Sequence, residues 1–205
     1  MTDPSRSTRV LGEGKYIRLI SENGWEYATR PHVTGIVVIV PVTDDGKLVL
    51  VEQPRTAVHN RVVELPAGMV GDVEAGETLA AAASRELIEE TGFAAREMVL
   101  LAEGPTAVGM SDEIISFFQA RGLTRVGPGG GDDSEDITVH EIPLAEVRRF
   151  LAAKGAEGRC VDPKIYAGLF LADVQVGRVD AAGLSPAESV AGGSGNPPAV
   201  PGVDR

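Results

Sequence analysis

From Gly35 to Val42 nearly every residue is apolar and most are β-branched, the pattern of a strand covered on both faces. Asp44-Asp45-Gly46 then signals a turn, and Lys47 to Glu52 predicts a second strand of the same kind. A shorter strand is expected at Val62 to Leu65, ending at Pro66-Ala67-Gly68, where strand pairing must stop. Upstream, Val10 to Tyr27 reads as a hairpin: Tyr16 to Ile20, the turn pair Asn23-Gly24, then Trp25-Glu26-Tyr27. Between Glu77 and Thr91 the pattern turns helical, with Leu79, alanines from Ala80 to Ala83, Leu87 and no breaker until Gly92.

Further strands are expected at Met98 to Ala102, Ile114 to Ala120 and Asp136 to Ile142, and helices at Leu144 to Ala153 and Pro163 to Ala172. Gly127 to Asp133 is a glycine-rich acidic loop. Ala181 to Arg205 consists largely of Gly, Ser, Pro and Ala, too poor in large apolar groups to offset its ordering entropy, so a mobile tail is expected. Mixed strands flanked by helices, without regular βαβ alternation, predict an α/β sandwich of α+β character.

At 205 residues, one domain with a small appendage is the expected organisation. The 43% apolar and 24% charged fractions are ordinary for a globular chain. No apolar run approaches the roughly 20 residues of a membrane-spanning helix, and Met1 to Leu11 lacks the core of an export signal. The lone Cys160 has no internal disulfide partner and no metal-ligand spacing around it, and is expected to be small and semi-buried. A reducing cytoplasm fits these features. The formal charge of −11, with 19 basic residues scattered without a run, disfavours nucleic acid and anionic membrane as partners. An acidic protein can still act on a phosphate ester if divalent cations sit between its carboxylates and the substrate.

Such carboxylates are present. On the expected helix, Glu86, Glu89 and Glu90 stand at i, i+3 and i+4 and share one face. Like charges so placed repel, and a shared hard cation such as Mg²⁺ or Mn²⁺ relieves the repulsion. Arg85 can hold Glu77 or Glu89 through its forked donors. A bare acidic pair such as Glu89-Glu90 is ordinarily only a solvated helix face. Here, however, Gly71, Glu77, Arg85, Glu86, Leu87, Glu89, Glu90, Gly92 and Phe93 fill the pattern Gly-x5-Glu-x7-Arg-Glu-(apolar)-x-Glu-Glu-x-Gly-(apolar). This arrangement resembles the Nudix box, departing from it only in that Phe93 is bulkier than the usual aliphatic.

The resemblance implies the Nudix fold, a mixed sheet between helices, with an N-terminal β-hairpin extension. It also implies a metal site of Glu86, Glu90, Glu89 and the main-chain carbonyl of Ala67. Cations there bridge diphosphate oxygens and lower the pKa of a bound water. From about Gly14 to Ala172 the chain is similar to the ADP-ribose pyrophosphatase branch. The similarity rests on Glu52-Gln53-Pro54-Arg55, on Val63-Glu64-Leu65-Pro66-Ala67-Gly68, on Met110-Ser111-Asp112-Glu113, on Glu135-Asp136-Ile137 and on Val161-Asp162-Pro163. Arg55 and Glu64 are thereby implied to help hold substrate.

Trp25 is expected either to stack on adenine across a homodimer interface, as the branch implies, or to plug the sheet edge; Arg30 is a further candidate for the same pocket. For the general base three carboxylates compete. Glu135 is preferred, because the glycine-rich loop beside it would let it swing in, over Asp133 and Glu89. Residues 1–32 are expected to form the hairpin extension, 33–175 the hydrolase domain and 176–205 the tail. The implied reaction is Mg-dependent cleavage of ADP-ribose to AMP and ribose 5-phosphate. GDP-mannose is the rival substrate, and a non-catalytic ADP-ribose-binding regulator is the rival of another class.

Overall fold

The computed structural model describes residues 7–71, 76–131 and 135–173. The expected tail and Asp133 therefore lie outside the described residues. Three strands, β1 (Thr8–Glu13), β2 (Arg18–Glu22) and β3 (Trp25–Thr29), form an antiparallel sheet in that order. Asn23 and Gly24 take φ of 52° and 84°, the left-handed pair that a two-residue hairpin turn requires. The sequence pattern foresaw this hairpin and missed β1, whose residues are all exposed and so leave no alternation to read. Tyr16 and Ile17, expected in a strand, lie instead in the connection between β1 and β2.

The other described residues build two four-stranded sheets and three α-helices. The first sheet has the order β7-β4-β9-β8, from β4 (Gly35–Pro41), β7 (Ala67–Val70), β8 (Phe93–Pro105) and β9 (Ile114–Arg125). The second has the order β10-β5-β6-β11, from β5 (Lys47–Arg55), β6 (Asn60–Glu64), β10 (Thr138–Pro143) and β11 (Cys160–Val161). Strands β4 and β9 run parallel, as do β6 and β11, and the other pairs are antiparallel. The expected sheet is thus divided in two, with mixed strand directions in each half.

Alternation along β4 and β5 separates two cores. Val38, Val40, Leu48 and Leu50 pack with Val147 and Leu151 of α2 (Val147–Ala156) and with Ile165 and Leu169 of α3 (Lys164–Leu171). Val37, Ile39 and Val49 pack on the opposite side against Ala82, Ala83 and Leu87 of α1 (Leu79–Thr91). The central strands are therefore covered on both faces, as their unbroken apolar runs predict, and the layering is α/β/α. Among the described residues no helix is long and apolar enough to cross a membrane.

Two expectations about strands are corrected. Pairing does not stop at Pro66-Ala67-Gly68; the chain changes sheets there. Pro66 has no N–H to offer, but its carbonyl accepts from Ile39 N at 2.8 Å, and the next residue opens β7 alongside β4. β8 also runs well beyond Met98 to Ala102. Its opening residues Ala94 to Glu97 have weak strand preference, and pairing with β9 overrides it. Cys160, expected to be semi-buried, is exposed on the short β11.

Candidate active site

Helix α1 begins at an N-cap, Thr78, whose hydroxyl accepts from Ala81 N at 3.2 Å, and ends at Gly92 in left-handed backbone with φ 73°. Between these caps, Arg85, Glu86, Glu89 and Glu90 face a cavity of about 1010 Å³. The same cavity is lined by Arg30, Arg55, Glu64, Ala67 and Glu135, so the structure brings together every described candidate residue except Trp25. Trp25 stands on β3 opposite Glu22, 72% exposed, outside this cavity.

Arg85 organises the charge. Its Nε and Nη2 donate to the two carboxylate oxygens of Glu77 at 3.0 and 3.2 Å, and Nη2 also reaches the Met69 carbonyl at 3.2 Å. Nη1 donates to Glu86 at 2.8 Å and to Glu89 at 3.1 Å. The Glu77 carboxyl is held below its ordinary range, chiefly by its bond to Arg85. Among the described residues no three acidic, His or Cys side chains are already gathered at metal-binding spacing, because Arg85 draws Glu86 and Glu89 to itself while Glu90 turns to the main chain.

Glu90 is the most deeply placed of the helical carboxylates, 4% exposed, and it accepts from Ala67 N at 3.1 Å. Burial pushes its carboxyl up to about 8; the Ala67 N–H and the charge of Arg55 pull it back, and the charges of Glu86 and Glu135 add to the rise. Glu86 lies directly over Gly68: a Cβ on that residue would stand 1.9 Å from the Glu86 carboxyl carbon. The glycine of Pro66-Ala67-Gly68 is thus needed for close approach of a carboxylate to the backbone. A buried carboxylate among like charges, beside oxygen donors and a bare backbone, is a donor set that suits a hard divalent cation.

Arg55 and Glu64 lie on adjacent strands and form a forked pair, Nε to Oε1 at 2.9 Å and Nη2 to Oε2 at 2.5 Å. Arg30 donates to Glu113 at 2.6 Å, so the Ser-Asp-Glu segment meets the N-terminal sheet at the cavity rim. That contact is extended by Ala28 N to Met110 O at 2.8 Å. Gln53, Glu113, Asp162 and Lys164 also line the cavity and were not singled out as site residues. Gln53, Glu113 and Asp162 stand within stretches that carry the family resemblance, and that position was the available signal.

The described part of the glycine-rich loop does not hang free. Gly130 N and Gly131 N donate to the carbonyls of Glu90 and Glu89 at 2.8 and 3.0 Å, at the C-terminus of α1. A Cβ on Gly129 would stand 2.3 Å from the Thr91 carbonyl carbon, and one on Gly131 would stand 2.1 Å from a Glu135 carboxylate oxygen. These glycines permit close contact with α1 and with Glu135.

The family model described as NUDIX domain matches residues 32–160, more than half of the chain. This chain belongs to the NUDIX domain family. Within a curated set it is 36% identical over 121 residues to a methanol dehydrogenase activator of Bacillus methanolicus, covering 58% of this chain and 64% of that protein. It is 40% identical over 116 residues to an ADP-ribose pyrophosphatase of Mycobacterium tuberculosis strain H37Rv, covering 56% of this chain and 55% of that protein. The chain thus spans less than two thirds of either relative. A solved structure titled "Crystal structure of ADP compounds hydrolase" shares the NUDIX fold, with a TM-score of 0.64 at 22% identity over 84% of this chain and 94% of that one.

Proposed function

We propose that this NUDIX chain hydrolyses the diphosphate of a nucleoside diphosphate sugar, with ADP-ribose as the first substrate, water entering and AMP and ribose 5-phosphate leaving. The observation that carries this reading is the convergence of Glu86, Glu89 and Glu90 with the Arg55–Glu64 pair and Glu135 on one cavity of about 1010 Å³. The similarity to an ADP-ribose pyrophosphatase supports the choice of nucleotide.

Glu86, Glu89, Glu90 and the Ala67 carbonyl would hold Mg²⁺ or Mn²⁺, which when bound supplies Lewis acidity and lowers the pKa of water. Arg85 keeps Glu77, Glu86 and Glu89 oriented through the bonds described above. Arg55, fixed by Glu64 through Nε and Nη2, offers its Nη1 donors to a diphosphate oxygen. Glu135 takes the proton of the attacking water; it lies near enough to Glu90 for its charge to raise that carboxyl. In a homodimer, Trp25 of one protomer stacks on the adenine bound by its partner, which accounts for its position outside its own cavity. In this reading residues 1–32 form the extension, 33–175 the hydrolase domain and 176–205 a tail, and the enzyme works in the cytoplasm.

A substrate panel of ADP-ribose, GDP-mannose and a nucleoside triphosphate, each with Mg²⁺ and read by chromatography of the products, tests the proposal. AMP with ribose 5-phosphate as the fastest products is the expected result. Faster turnover of GDP-mannose overturns the choice of base, and ADP-ribose binding without turnover makes the protein a regulator.

A further inference from the structure

Arg61, on β6, reaches across β5 to the start of β10. Its Nε and Nη2 donate to the carboxylate and main-chain oxygens of Glu52, at 3.3 and 3.0 Å. On the far side Nη1 donates to the Asp136 carboxylate at 2.5 Å, and Nη2 to the Asp136 carbonyl at 3.1 Å and the Thr138 hydroxyl at 3.3 Å. Glu52 is itself fixed: Lys154 Nζ at 2.8 Å, His140 Nε2 at 3.0 Å and Arg159 Nε at 3.3 Å surround its carboxylate. A guanidinium anchored on one side by a buried, fully engaged carboxylate, and grasping both side chain and main chain on the other, fixes the backbone at residue 136. Residue 135 is the next one along. Gly131, beneath the Glu135 carboxylate, is held to α1 through the Glu89 carbonyl.

We propose that Arg61, braced by Glu52, is a positioning residue for Glu135: it sets the distance of that carboxylate from the reacting water without touching substrate. The inference rests on the reading of Glu135 as the base. A misplacement of about 1 Å costs up to about a hundredfold in rate, so Arg61→Ala should lower kcat by roughly 10- to 100-fold with KM little changed. Arg61→Lys keeps a charge beside Glu52 but cannot span both partners, and should lose an intermediate amount while melting close to the wild type.

The deciding measurement is a double-mutant cycle on kcat with Glu135→Gln. If Arg61 acts through Glu135, either Arg61 variant has no further effect in the Glu135→Gln background, and that result supports the proposal. Equal losses in both backgrounds mean that Arg61 only supports the fold, and overturn it; so does full kcat in Arg61→Lys and Arg61→Ala alone. Wild-type kcat in the single variant Glu135→Gln refutes the base itself, an outcome read independently of either Arg61 variant. Should Arg61→Ala not fold, Arg61→Lys carries the same cycle.

Discussion

Glu52 and Glu90 are equally hidden from solvent, each 4% exposed, and their surroundings drive them in opposite directions. Around Glu52, burial pushes the carboxyl up, but the bonds from Lys154 and His140 outweigh it and hold it at about 2. Around Glu90, burial outweighs the Ala67 N–H bond and the charge of Arg55, while Glu86 and Glu135 add to the penalty, and the carboxyl rises to about 8. Exposure is the same, but Glu90 lies deeper among packed atoms, and the sign of the nearest charges differs. A buried carboxylate whose counter-charges come from the chain is a brace, and one surrounded by further carboxylates invites a cation from outside.

The largest effect expected from this contrast is at the brace. Glu52→Ala leaves Lys154, Arg61 and Arg159 without their shared counter-ion and should cost about 3 to 5 kcal/mol, a fall in Tm of roughly 6 to 20 °C by thermal melting. A carboxyl depressed to about 2 contributes stability above its ordinary 4.5 and loses it as the pH falls through about 2. The gap between wild type and Glu52→Ala should therefore narrow in strong acid. A constant gap from pH 7 to pH 2 would show that lost packing, not charge, sets the cost.

Glu90→Gln should behave in the reverse manner, lowering kcat by about a hundredfold or more while the fold survives. A carboxyl raised to about 8 favours the folded state while protonated, so that advantage is whole below its ordinary 4.5 and is lost as the pH rises through about 8. With EDTA present, the wild-type Tm should fall from pH 5 to pH 9 by more than that of Glu90→Gln, which cannot ionise. Parallel Tm profiles would show that the Glu90 carboxyl is not raised, and full activity of the variant at saturating Mg²⁺ would remove Glu90 from the cation site.

The smallest effect is expected at Trp25, where truncation to Ala should raise KM for ADP-ribose about tenfold through lost base stacking and leave ribose diphosphates lacking a base unaffected. Equal weakening of both substrates would assign Trp25 to the sheet edge and withdraw the shared pocket.

The two buried carboxylates also differ in how far they could be read beforehand. Glu90 belongs to a local pattern: Arg85, Glu86 and Glu89 lie within one helical turn or so, and Thr78 and Gly92 mark the ends of the helix. Spacing of 3 and 4 positions is visible in a string of letters. Glu52 was noticed as the end of a strand and as part of the Glu52-Gln53-Pro54-Arg55 stretch, but not as a brace, because the groups that define that role, His140 and Lys154, lie 88 and 102 positions away. The apolar runs of β4 and β5 disclosed strands buried on both faces. They could not disclose that the chain changes sheets at Pro66, since a proline ends a hydrogen-bond ladder without saying whether another begins. In the glycine-rich loop composition suggested motion and did not disclose that Gly129 to Gly131 pack closely on α1 and Glu135.

One consequence follows from how the β8–β9 hairpin is closed. Val126 N and Gly127 N both donate to the Gly92 carbonyl, at 2.8 and 3.1 Å, so the chain leaves α1 and returns to the same point. Everything between is an excursion with stitched ends, and its far tip carries Thr106 and Glu113 to the cavity rim. The tip is gripped in turn by the N-terminal segment, through Arg30 to Glu113 and Ala28 N to Met110 O, so it works as a jaw clasped at both ends. Libraries confined to residues 106–109 should reshape the cavity rim at Thr106 while the anchorage of the helical glutamates stays as it is.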